Sequence, residues 1–124
     1  MRWRKQKPGK HNCGVIAVAV IANCSIEMAE KAIGETGYTN TKDLQRGLEN
    51  LGFQCPGRLK RLKIRPKLAI AKLSYPNTYK WHWVVIYKEK IFDGIYGNKE
   101  GFADWGKEWR ITSYLPIEKN LTQT

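Results

Sequence analysis

The sequence predicts an α+β fold in which N-terminal helices pack on a C-terminal antiparallel β-sheet. Two observations carry this expectation. Up to Gly52 the apolar residues recur at helical spacings between capping residues and terminal glycines. From Phe53 onward they fall into short β-branched and aromatic runs instead. Helices gathered in one half and strands in the other indicate α+β rather than alternating α/β. The 124 residues are expected to form one domain over 1–124, with a basic arm at 1–11 and a loose polar tail at 118–124.

The elements follow in order. Asn12 stands where an N-cap belongs, and Cys13 would be the first helical residue. Gly14 to Ala22 offers no polar face, as expected of a central helix buried all round. Its β-branched residues also admit a strand, but the interspersed small residues favour close helix packing. Ser25 would cap a second helix, Ile26 to Ile33, with Ile26, Ala29 and Ile33 as its apolar stripe and Gly34 as its stop. Asn40 or Thr41 would cap a third, where Leu44, Leu48 and Leu51 share a face and Gly52 ends the helix. Strands are expected at Leu68 to Leu73, Trp81 to Tyr87, Ile91 to Asp93 and Trp109 to Ile117. The connector GRLKRLKIRPK ahead of the first of these contains Pro66, which limits its use as a central strand.

Composition narrows the function classes. Hydrophobic residues make up 42% of the chain, and its five Trp and six Tyr argue against disorder. A net charge of +11 favours acidic partners: nucleic acid, an acidic protein or an anionic surface. Arg58, Lys60, Arg61, Lys63, Arg65 and Lys67 are the candidate phosphate or acidic-partner contacts, with Trp3, Trp105 and Trp109 available to stack on bases. Three cysteines, Cys13, Cys24 and Cys55, are an odd and widely spaced set that suits thiols in a cytoplasmic protein, bacterial or phage-encoded, better than a disulfide framework. The basic arm followed by Val15 to Ala22 also has the outline of an export signal. The apolar run is only eight residues, too short to span a bilayer, so no membrane span is expected. His11, Cys13, Cys24 and Cys55 match no common zinc spacing, so neither a metal nor a cofactor is expected.

One set of residues could perform chemistry. A cysteine at a helix start gains from the N-terminal amides and the helix dipole, which stabilise a thiolate. Cys13 has that position, and its bland alternative is an inert buried thiol. His82, inside the otherwise apolar WHWVVIY, is the candidate base, or else a core histidine bonded to a carbonyl. A two-residue turn at Lys88-Glu89 would set Ile86 opposite Ile91, Val85 opposite Phe92 and Val84 opposite Asp93. Asp93 would then share a face with His82 across a diagonal of roughly 7–8 Å, within reach to orient the imidazole. Asn98 and Asp104 are the other candidates for that role. The Cys13 N–H and the side chain of Gln6 could hold an oxyanion, unless Gln6 is simply a solvated surface residue.

The order NCGVIAVAVIA, TGYTNTKDLQRGLENLGF, KLAIAKL and WHWVVIYKEKIFDG resembles the papain-like cysteine peptidases, most closely the bacteriocin-processing (double-glycine leader) peptidase domain. The resemblance spans roughly residues 6–95. It implies a papain-like fold with the nucleophile at the start of the buried central helix, a Cys13-His82-Asp93 triad and Gln6 as oxyanion donor. It also implies hydrolysis of a peptide, isopeptide or related amide bond in a peptide or protein substrate. Gln6 lies seven residues before Cys13 where the family has six, and Asn12 stands where the family has Asp. A non-catalytic basic binding module on the same fold is the competing function.

Overall fold

The computed structural model describes residues 12–55, 60–61, 67–74, 81–87, 90–92, 102–104 and 110–119. Its first element, α1 (Cys13–Ala22), is the all-apolar helix expected from the sequence, and every residue from Gly14 to Ile21 is buried. The helix stops at Asn23, whose left-handed backbone (φ 53°) lets the Cys24 N–H bond back to the Ala19 carbonyl at 3.1 Å. One expectation is corrected at the other end. Asn12 makes no side-chain cap; its backbone carbonyl accepts the Ile16 N–H, while its side chain packs inward and leaves the residue 8% exposed.

The next two helices are amphipathic and capped as their sequences require. In α2 (Ile26–Ile33) the Ser25 hydroxyl accepts the Met28 N–H, and Gly34 closes the helix at φ 85°. In α3 (Thr41–Asn50) Asn40 and Asp43 form a reciprocal capping box, each side chain accepting the other's backbone N–H at 2.8 and 2.9 Å. α3 also clasps the end of α2, because Arg46 Nε and Asn50 Nδ2 donate to the carbonyls of Ile33 and Ala32. The two helices approach so closely that a methyl group on Gly47 would overlap Ile33.

The remainder is β-structure, and every strand pairing is antiparallel. The strands are β1 (Phe53–Gln54), β2 (Lys60–Arg61), β3 (Leu68–Ser74), β4 (Trp81–Tyr87), β5 (Lys90–Phe92), β6 (Phe102–Asp104), β7 (Arg110–Pro116) and β8 (Glu118–Lys119). Six form one sheet in the order β2-β7-β3-β4-β5-β6, and β1 pairs with β8 apart from it. The α+β class is therefore observed. The β4–β5 register also matches the expected two-residue hairpin, with Ile86 opposite Ile91 and Val85 opposite Phe92. Asp93 and the turn itself lie outside the described residues.

Two details depart from the sequence reading. Glu118 and Lys119, expected in a loose tail, pair with Gln54 and Phe53. The segment after α3 leaves backbone donors and acceptors that a neighbouring strand can satisfy, and a propensity scan of a polar tail does not register that demand. The basic connector contributes a short edge strand, Lys60–Arg61, against Tyr114 and Ser113 of β7.

The core has two parts, one on each face of the sheet. Ile70, Trp83, Val85, Phe92 and Leu115 join the α1 residues Val15 to Ile21, with Ala29, Ile33, Leu44 and Leu48 behind them. Ala69, Ala71, Leu73, Val84, Ile86, Ile91 and Tyr114 form the second cluster. This two-sided burial explains why β4 reads as a continuous apolar run instead of an alternating one.

Candidate active site

Cys13 opens α1 and is half-buried, and none of the three cysteines is in a disulfide. Its Sγ accepts a hydrogen bond from the backbone N–H of Trp83 at 3.4 Å. This contact joins positions 70 residues apart in the chain and fixes where the helix start meets the sheet. A strand N–H lies in the plane of its sheet, so the sulfur is level with β4 rather than stacked over one face. Among the described residues β5 pairs with β4 only from Val85 to Tyr87, and the thiol meets the strand just beyond that stretch. A narrow recess there is lined by Cys13, Ile16, Ala17, Phe92 and the β4 residues Trp83, Val84 and Val85.

His82 directly precedes Trp83 and is 6% exposed. Strand alternation assigns Trp83 and Val85 to the face that packs on α1, and His82 to the other face with Val84 and Ile86. Opposite His82 on β3 is Leu73, a member of that second cluster, which agrees with the assignment. The sulfur is therefore bracketed by two side-chain directions of one strand, Trp83 on the α1 face and His82 on the far face. The Nδ1 atom of His82 is sealed from solvent.

The rest of the thiol's setting is close-packed. A Cβ on Gly14 would overlap Thr39 Oγ1 and lie 3.1 Å from Trp83 Cδ1, so a residue without a side chain is needed after Cys13. Trp83 Nε1 donates to the Thr39 carbonyl at 3.3 Å, which pins the indole beside the helix start. Two side-chain oxygens in this region, Asn12 Oδ1 and Thr39 Oγ1, are buried without a hydrogen-bond partner among the described residues.

The other cysteines differ in kind. Cys24 lies beyond the far end of α1 and packs against the core edge. Cys55 is buried, and its thiol is pushed up from 9.0 to about 11, first by desolvation and then by the charge of Glu49. Gln6, Arg58, Lys63, Arg65 and Asp93 lie outside the described residues, as do Trp3, Trp105, Trp109, Asn98 and His11. Asp104 is in β6, opposite Lys90. Lys60 and Arg61 are on the sheet-edge strand β2, and Lys67 is exposed before β3. Among the described residues no three His, Cys, Asp or Glu side chains gather as a metal site requires, and no single helix is long and apolar enough to cross a membrane.

Sequence reasoning missed the part played by Trp83, whose amide and indole both meet the helix start, and by Thr39. The spacing of Trp81 and Trp83 was a usable signal, because residues two apart on a strand share a face. Thr39 left no signal, since only tertiary packing brings it to Gly14. Compared with known proteins, the chain matches no family model and no curated sequence.

Proposed function

We propose that the chain is a papain-like thiol hydrolase that cleaves a peptide, isopeptide or related amide bond through an acyl-thioester on Cys13. The observation that carries this reading is the bond from the Trp83 N–H to Cys13 Sγ. It brings a helix-start thiol against the strand residue next to His82. A backbone donor on the sulfur and the amides of the first helical turn both favour a thiolate.

In the proposed reaction His82 takes the Cys13 proton and the sulfur attacks the substrate carbonyl carbon. The Cys13 N–H and the Gln6 side-chain amide receive the oxyanion. As the tetrahedral intermediate collapses, the C–N bond breaks and the His82 imidazolium protonates the departing amine. Water then attacks the thioester, giving up its proton to His82, and the carboxylate product leaves with the thiol restored. Asp93 orients the imidazole throughout.

Competitive alkylation tests the reading without knowledge of the natural substrate. Iodoacetamide at neutral pH is expected to modify Cys13 well before Cys24 and Cys55, and His82→Ala is expected to slow Cys13 while leaving Cys24 unchanged. Equal rates at all three thiols in the folded protein would overturn the proposal. Once a cleaved substrate is in hand, His82→Ala is expected to lower the rate by roughly 100-fold or more.

A further inference from the structure

Beside the thiol, on the α1 face of the sheet, three side chains form a cluster that the triad does not use. Trp81 and Trp83 lie two apart on β4, with ring centroids 5.1 Å apart and planes at 87°. Lys72 is directly opposite Trp83 on β3. Its Nζ sits 4.4 Å from the Trp81 ring centroid and 5.4 Å from that of Trp83. Two indole faces thus hold one ammonium in place, a geometry stabilised by the ring quadrupoles.

Three features mark this cluster as more than cross-strand packing. Trp83 is its inner wall and also lines the recess at Cys13, so the cluster and the thiol share a residue. Trp81, its outer wall, is 45% exposed, so its ring is open to a ligand. Lys72 makes no ion pair with any described residue, whereas Arg46 has Asp43. A half-buried ammonium held beside two rings, with no carboxylate paired to it among the described residues, is preorganised for an anionic group, since less side-chain entropy remains to be lost on pairing. The net charge of +11 would draw the same class of ligand towards it.

We infer that Lys72, Trp81 and Trp83 form a substrate subsite that selects a carboxylate-bearing residue next to the bond presented to Cys13. The carboxylate pairs with Lys72 Nζ, and the flanking chain lies along the exposed Trp81 ring. This assignment rests on the thiol hydrolase reading, and names the substrate class for it: an acidic peptide segment.

Two alkylating probes that differ only in charge test it, iodoacetyl-Gly-Glu-amide and iodoacetyl-Gly-Gln-amide. Alkylation is followed at Cys13, with Cys24 in the same molecule as the control for general attraction to a basic protein. The acidic probe is expected to react at Cys13 at least about threefold faster than the neutral one, a ratio within the range of a modest ion pair. That preference is expected to exceed the one at Cys24, to vanish in Lys72→Met and to survive in Lys72→Arg. If Lys72→Met does not fold, wild-type protein decides: 0.5 M salt should erase the preference at Cys13 while the neutral probe keeps its rate. Equal rates for both probes at a still fast Cys13 would overturn the subsite and leave the hydrolase standing. A preference no larger at Cys13 than at Cys24, or one that persists in Lys72→Met or in high salt, would also overturn it. A Cys13 no faster than Cys24 towards iodoacetamide would fail the hydrolase reading itself.

Discussion

Cys13 and Cys55 are both thiols on the inner side of the protein, yet their surroundings differ. Cys13 Sγ is offered a backbone N–H by Trp83. Cys55 is offered burial and a nearby carboxylate, and its thiol rises to about 11. The raised value has a consequence for stability. The unfolded thiol ionises near 9.0, while the folded one holds its proton until about 11. Between those values the folded state binds more protons, so stability falls as pH rises through that window and the contribution is intact below it. Urea titrations at pH 8 and pH 11 are expected to show a larger loss for the wild type than for Cys55→Ala. A second residue-scale prediction concerns Gly14. A methyl there would overlap Thr39 Oγ1 and crowd Leu44 and Trp83, so Gly14→Ala is expected to destabilise by about 1–3 kcal/mol. Adding Thr39→Ala should recover part of that loss in thermal melts, because it removes the atom with the worst overlap.

At the scale of elements, the helices owe their limits to local chemistry and their positions to packing. The Asn40–Asp43 box satisfies two orphan amides of α3, and Asn40→Ala is expected to cost about 1 kcal/mol in chemical denaturation. Leu48, wholly buried on the inner face of α3, should cost about 2–5 kcal/mol when cut to Ala. The contrast between these two magnitudes, in one helix, tests whether α3 is held by its docking more than by its cap. The boundaries of α2 and α3 were legible because Ser25, Gly34, Asn40 and Gly52 each have a stereochemical role that shows in the residue type. Asn12 was misread for the same reason. It is a good capping residue by type, but its side chain is drawn into the packed region ahead of α1, and packing outweighs a single cap. The β4–β5 register was legible too, since a two-residue turn and a period of two leave few alternatives. The partnership of β1 with β8 and of β2 with β7 was not. β1, β2 and β8 are two residues long, and no periodicity can be read from two residues.

For the whole molecule, the decisive arrangement is a sheet buried on both faces with one wholly apolar helix against one of them. That helix has no preferred face, so its own sequence gives no rotational setting; the Cys13–Trp83 contact and the close approach of Gly14 to Thr39 supply one. The class of fold, the three helices and the long strands were all accessible from the chain alone. Each depends on interactions within a few residues or on a regular repeat. Other features belonged to the tertiary structure: the level at which the sulfur meets β4, the faces taken by His82 and Trp83 around it, and the ammonium of Lys72 held between two indoles. These depend on which strand lies beside which, and β7 inserts next to β3 from the far end of the chain. Long-range pairings are chosen by the total burial they achieve, a quantity spread over the whole sequence and visible at no single point in it.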